Sequence, residues 1–199
     1  MNEIYYLTTN KGKIASANRE FKDSNIKIVG YELEVQEPYI QDIDKIAEFK
    51  VKTAYNLLKK SCIANDSGFY IVGWPKCKDW PGALVHRELI DKVGIDGLLQ
   101  EMENVADRSC YFKQSLAFYD GKTFKIFHGI SNGVLAKTRF NDYKNNSRWS
   151  ELWEVFIPEG YDVTLSQFTD DMLVDRSKKF ASKEVLKAFK DWIENEYNE

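Results

Sequence analysis

A chain of 199 residues with 43% hydrophobic and 30% charged side chains has the composition of a soluble globular protein and is long enough to bury a core without staples. Its formal net charge of −3 argues against a general polyanion binder, so basic residues that serve an anion must be gathered locally. No apolar run approaches bilayer length, the acidic start Met1-Asn2-Glu3 is unlike a signal peptide, and three scattered cysteines (Cys62, Cys77, Cys110) are too few for a disulfide framework; they read as free core thiols of a cytoplasmic protein.

In chain order, Ile4-Tyr5-Tyr6-Leu7 predicts a buried strand. Ile14, Ala17 and Phe21 recur at helical spacing, and Ile26 to Val35 is rich enough in β-branched residues for a second strand that Pro38 stops. Ile43, Ile46, Ala47, Val51, Ala54, Leu57 and Leu58 make the apolar stripe of a long helix, with Lys45, Glu48, Lys52 and Lys59 on its polar side. Cys62 to Ala64 and Phe69 to Val72 are short apolar runs. Tyr111 to Tyr119 and Thr123 to Ile130 meet at Asp120-Gly121, a hairpin signal. Val155-Phe156-Ile157 is a last short strand, and Val185, Leu186, Phe189, Trp192 and Ile193 form an amphipathic helix. Mixed strands and helices with a hairpin indicate an α/β or α+β sheet protein.

Four polar segments carry candidate chemistry. Thr8-Thr9-Asn10-Lys11-Gly12-Lys13 joins a strand to a helix, where amides, hydroxyl and ammonium make either a phosphate cradle or an ordinary N-cap with solvated lysines. Asn65-Asp66-Ser67-Gly68 puts a carboxylate on a glycine-bearing turn at a strand end, which suits a magnesium ligand or a plain Asx-type turn. Trp80-Pro81-Gly82 reads as a rigid turn, with His86 and Arg87 either reaching a phosphate or lying on a surface loop. Arg176-Ser177-Lys178-Lys179, with Lys183 beyond, is a phosphate clamp or a solvated charge run.

In this order the segments resemble the inosine triphosphate pyrophosphatase family over nearly the whole chain. Thr8, Asn10 and Lys13 match its T-G-N-x-x-K, with Thr9 in place of the glycine. Ile40-Gln41 and Ile46-Ala47-Glu48-Phe49 resemble its pattern at the long helix, Asn65-Asp66-Ser67-Gly68-Phe69 its E-D-S-G-F, and Trp80-Pro81-Gly82 its F-P-G. Tyr111-Phe112-Lys113, His128 to Gly133 and Phe156-Ile157-Pro158-Glu159-Gly160 are similar to its later strands. The resemblance implies one domain over residues 1–199 with an α/β (α+β) fold: an elongated, mixed, twisted β-sheet with flanking helices and two lobes enclosing a nucleotide cleft. It further implies a magnesium-dependent hydrolase of inosine, deoxyinosine and xanthosine triphosphates that yields the monophosphate and pyrophosphate. Such a protein is cytoplasmic and usually a homodimer, with neither nucleic acid nor membrane as a partner. Asp66 then binds magnesium and orients water at the α-phosphorus, while Thr8, Asn10 and Lys13 hold the triphosphate. Lys52, Ser67, Gly68, Pro81, Gly82, His86, Trp153, Arg176, Lys178 and Lys183 complete the substrate site.

Four departures stand against that pattern. The family's P-E-I-Q is here Pro38-Tyr39-Ile40-Gln41, so Tyr39 takes the place of a metal-binding Glu, for which Glu37 is the nearby substitute. Asn65 replaces one acid of the strand-end pair. Ser150 to Val155 replaces F-G-Y-D-P and keeps aromatic character only in Trp153, and Phe180-Ala181-Ser182-Lys183 replaces S-H-R. The departures support a second reading, a catalytically impaired nucleotide sensor, for example of deoxyinosine triphosphate, that regulates a partner protein.

Overall fold

The computed structural model describes residues 2–145, 150–180 and 184–197. Strand β1 (Asn2–Leu7), helix α1 (Lys11–Glu20), β2 (Ile26–Tyr31) and α2 (Ile43–Leu58) come first. They are followed by β3 (Cys62–Ile71), β4 (Trp80–Gly82), a π-helical segment (Val85–Ile90) and α3 (Gly94–Glu101). The hairpin β5 (Ser109–Tyr119) and β6 (Phe124–Leu135) leads to β7 (Phe156–Pro158), α4 (Asp170–Lys179) and α5 (Val185–Asn195). The sheet order is β2-β1-β3-β5-β6-β7, with β4 paired to β3. β1 runs parallel to β2 and β3, whereas β4 and β7 run antiparallel to their partners. This is the expected mixed sheet with flanking helices. Among the described residues no helix is long and apolar enough to cross a membrane.

The chain divides into two compact units. Met1–Ser67, Gln114–Gly129 and Ala181–Glu199 make the first, Gly68–Lys113 and Ile130–Phe180 the second. In the first unit side-chain alternation along the strands builds two cores. Ile4, Tyr6, Ile63, Leu116 and Phe118 pack with Ala17 and Phe21, at the α1 side, and with Phe189 and Trp192 of α5. The neighbouring residues Leu7, Cys62, Ala64 and Ala117 pack on Ala47, Val51 and Ala54 of α2. The second unit has its own core, centred on Phe69, Ile71, Leu89, Leu98, Phe156 and Phe168.

Local chemistry sets the element ends. Asn10 caps α1, its Oδ1 accepting from the N–H groups of Gly12 and Lys13, and Asp42 caps α2 in the same way. At the hairpin turn Gly121 sits at φ 98°, where a Cβ would lie 2.0 Å from the Tyr55 hydroxyl.

Several sequence expectations need correction. The second strand ends at Tyr31 rather than Val35, and residues 32–42 are irregular. The run Cys62–Ala64 and the run from Phe69 as far as Ile71 belong to one strand, so Asn65-Asp66-Ser67-Gly68 lies within β3 and not in a turn. A polar, glycine-bearing run can stay extended here because its partners change: β1 pairs as far as Leu7↔Ala64, and β4 begins at Phe69↔Gly82. Trp80-Pro81-Gly82 is β4, short enough to accept a proline at the edge. His86 and Arg87 ride on the π-helical segment rather than a loop. Cys62 and Cys110 are buried thiols as expected, but Cys77 is exposed, because it sits in the connection between β3 and β4.

Candidate functional site

The register of β1 against β3 creates the site. Its last pair, Leu7↔Ala64, delivers the chain to Thr8 abreast of Asn65, after which α1 starts at Lys11. Thr8 Oγ1 accepts from the Asn10 N–H at 3.1 Å, so Thr8 and Asn10 shape the turn and cap the helix. Both readings of this segment therefore stay compatible, since a capped helix start is also an anion-attracting one. Lys13, in the first turn, points its Nζ back to the Asn65 carbonyl oxygen at 3.5 Å.

Asp66 follows Cys62 and Ala64 on the face that meets α2 and is 9% exposed. Across from it, Lys50 of α2 places its Nζ 2.7 Å from Glu37 Oε1 and 3.5 Å from Asp66 Oδ1. Glu37 comes from the irregular segment 32–42, which Leu33 and Val35 fasten to the α2-side core. Asn65 and Ser67 turn the other way. The Asn65 amide donates to the Ser115 carbonyl at 3.3 Å, and the Ser67 hydroxyl donates to Asn65 Oδ1 at 3.3 Å.

Burial dominates the electrostatics of this cluster. It raises the Asp66 carboxyl above its ordinary range; Lys50 and Lys13 pull it down, and Glu37 pushes it up. Burial likewise lowers Lys13, followed by repulsion from Lys50, against attraction from Asp66 and Glu37, leaving it at about 8. A buried carboxylate with raised proton affinity can take a proton from a bound water, and the flanking ammonium groups can neutralise phosphate oxygens. Among the described residues no three His, Cys, Asp or Glu side chains gather into a metal cage. Glu37 and Asp66 nevertheless supply two hard oxygen donors converging on one cation, a set that fits magnesium completed by phosphate oxygens and water.

The other expected residues are placed as follows. Lys52 stands two residues beyond Lys50, ~200° further round the helix and so on nearly the opposite side. It pairs there with Glu48 at 2.5 Å, 5.2 Å from the Phe124 ring, and does not join the cluster. Tyr39 is 61% exposed. Gly68, Pro81, Gly82, His86, Trp153, Arg176 and Lys178 belong to the second unit. In it, a Cβ on Gly68 would lie 2.7 Å from the Tyr70 ring and 2.9 Å from the Gly82 carbonyl oxygen. His86 is exposed, Trp153 packs on that unit's core, and Lys178 is exposed on the last turn of α4. Arg176 Nη2 donates to Ser131 Oγ at 2.5 Å. Lys183 lies outside the described residues.

Sequence reasoning missed Lys50. It occupies a core-facing position of α2, four residues after Ile46 and four before Ala54, both buried. A lysine inside an apolar stripe was the available signal.

The sequence pattern of the Ham1 family matches residues 4–189. A dITP/XTP pyrophosphatase of Pyrococcus horikoshii is 27% identical over 195 residues, covering 96% of either chain. Another of Saccharolobus solfataricus is 28% identical over 170 residues, covering 84% of this chain and 82% of its own. Among solved structures, a HAM1 protein from Coxiella burnetii superposes with a TM-score of 0.77 at 18% identity, over 99% of this chain and 100% of its own. At that identity the likeness speaks for the fold.

Proposed function

The chain belongs to the Ham1 family, and we propose that it hydrolyses a purine nucleoside triphosphate of the inosine, deoxyinosine or xanthosine type to the monophosphate and pyrophosphate. The observation that carries this reading is the buried Asp66 carboxylate set between the ammonium groups of Lys50 and Lys13. Water attacks the α-phosphorus, the bond from that phosphorus to the oxygen bridging to the β-phosphate breaks, and pyrophosphate leaves. Asp66 orients the water and accepts its proton, for which the raised proton affinity of a buried carboxylate is suited. Thr8, Asn10 and Lys13 hold the triphosphate at the start of α1, where the positive end of the helix dipole adds attraction. Glu37, which reaches the same lysine as Asp66, serves in place of the family's Glu at Tyr39. Magnesium held by Asp66 and Glu37 would neutralise the phosphate charge.

The family match and the pyrophosphatase names of the relatives support the enzyme over a non-catalytic sensor. We propose further that the enzyme is cytoplasmic and homodimeric. The test is pyrophosphate release from inosine, deoxyinosine and xanthosine triphosphates with excess magnesium, using adenosine triphosphate as the control. Asp66→Asn is expected to slow release by roughly 10²–10⁴-fold, the range of a lost general base, while leaving nucleotide binding largely intact. A wild-type protein that releases no pyrophosphate from any of these nucleotides would refute the proposal.

A further inference from the structure

Building on that reading, we propose that Lys50 is an internal cation that holds Glu37 and Asp66 until a triphosphate draws it away, so that the site takes up a divalent metal only together with nucleotide. The Lys50 ammonium already sits where a cation bridging these carboxylates would sit, 2.7 Å from one and 3.5 Å from the other. Its backbone cannot drift. Ile46, Ala47, Val51 and Ala54, around it on α2, are buried in the core of the first unit. Its side chain is only 15% exposed and Asp66's 12%, so water screens the pair poorly.

Among the described residues, the charges coupled to one another here include Lys13, Lys50, Glu37 and Asp66. Of these four, two are positive and two negative. A bare divalent ion entering this set meets two ammonium groups at close range and must compete with Lys50 for both carboxylates. Repulsion between the two lysines is already strong enough to help depress Lys13. A polyanionic triphosphate reverses the balance. It gives Lys50 phosphate oxygens to turn to and frees the carboxylates for the metal that accompanies the nucleotide.

The experiment titrates manganese, whose free form is counted by electron paramagnetic resonance, into the nucleotide-free full chain. Wild type is expected to bind manganese weakly, and Lys50→Met at least about tenfold more tightly. Lys50→Arg, which keeps the cation, is expected to stay weak. Asp66→Asn added to Lys50→Met should abolish the gain, which separates this site from surface carboxylates. An α,β-methylene analogue of inosine triphosphate, which cannot be cleaved at the reacting bond, should raise manganese affinity in wild type. Equal manganese affinity for wild type and a folded Lys50→Met would overturn the proposal. Should Lys50→Met fail to fold, Lys50→Gln replaces it. Tight manganese binding by nucleotide-free wild type would sink the idea without any variant. The nucleotide-free contrast does not depend on pyrophosphate release, so this inference and the pyrophosphatase reading can fail separately.

Discussion

Replacing Lys13 by methionine should make the protein more stable and a poorer nucleotide binder at once. The side chain keeps its length and loses its charge. Burial and the neighbouring Lys50 bring Lys13 from an ordinary 10.5 to about 8, net of the attraction from Asp66 and Glu37. At ~1.36 kcal/mol for each tenfold change, carrying that charge at neutral pH costs the fold about 3 kcal/mol. The side chain is only half-buried, so solvent screening brings the expected gain for Lys13→Met to about 2 kcal/mol. The direction with pH follows from linkage. Between about pH 8 and 10.5 the folded wild type has released the proton while the unfolded chain still holds it, so wild-type stability rises through this window. The advantage of the variant should therefore be full at pH 7 and should shrink towards zero above pH 10.5. Urea unfolding followed by fluorescence of the five tryptophans, at pH 7, 9 and 10.5, measures it. Groups outside this cluster titrate alike in both proteins, so the difference isolates Lys13 and the charges coupled to it. Calorimetry with deoxyinosine triphosphate should show binding weakened by about 1–3 kcal/mol, the scale of a lost charge-assisted hydrogen bond. A variant less stable than wild type at pH 7, or an advantage independent of pH, would mean that the two carboxylates fully compensate the ammonium and that burial does not govern it.

Further outcomes test the frame around the site. Gly68→Ala would drive a methyl group to within 2.9 Å of the Gly82 carbonyl oxygen and 2.7 Å of the Tyr70 ring, so thermal unfolding should show a loss of about 1–3 kcal/mol. Gly121→Ala adds backbone strain at φ 98° to a clash with the Tyr55 ring and hydroxyl, and part of its destabilisation should persist in a Tyr55→Ala background, where the clash is gone. In the second unit Arg139 Nε donates to Glu154, which is 0% exposed. Arg139→Met removes one partner of that buried carboxylate and should destabilise the protein in a denaturant titration, the usual direction when a buried pair is broken.

The parts of the molecule written in local pattern were readable in the chain. The α2 stripe, the Asn10 cap and the Asp120-Gly121 hairpin each depend on residues within one or two turns of one another. Where a motif marked candidate residues, the fold brings two of them near: Lys13 and Asp66, 53 positions apart, come within electrostatic reach through the parallel β1–β3 pairing. What escaped depends on partners distant in sequence. Asn65 to Gly68 has the composition of a turn and stays extended only because neighbouring strands change along β3. Lys50 is one cation inside an apolar stripe, and its meaning appears only when Glu37 and Asp66 arrive from two other segments. The Arg139–Glu154 pair belongs to no periodicity at all.

The placement of α5 also bears on synthesis. Phe189 and Trp192 fill the same core as Ile4 and Tyr6, and Lys190 Nζ donates to the Glu20 carbonyl across 170 residues of sequence. During synthesis β1 and α1 are made long before the helix that shields their apolar face. Until then that face lacks this cover, and closing it requires a loop of 170 residues, as between Glu20 and Lys190. The core of the first unit therefore cannot close before Val185 and the rest of α5 have been made, and a nascent chain stalled before Val185 would offer chaperones and proteases an open sheet face with Ile4, Tyr6, Leu116 and Phe118 on it.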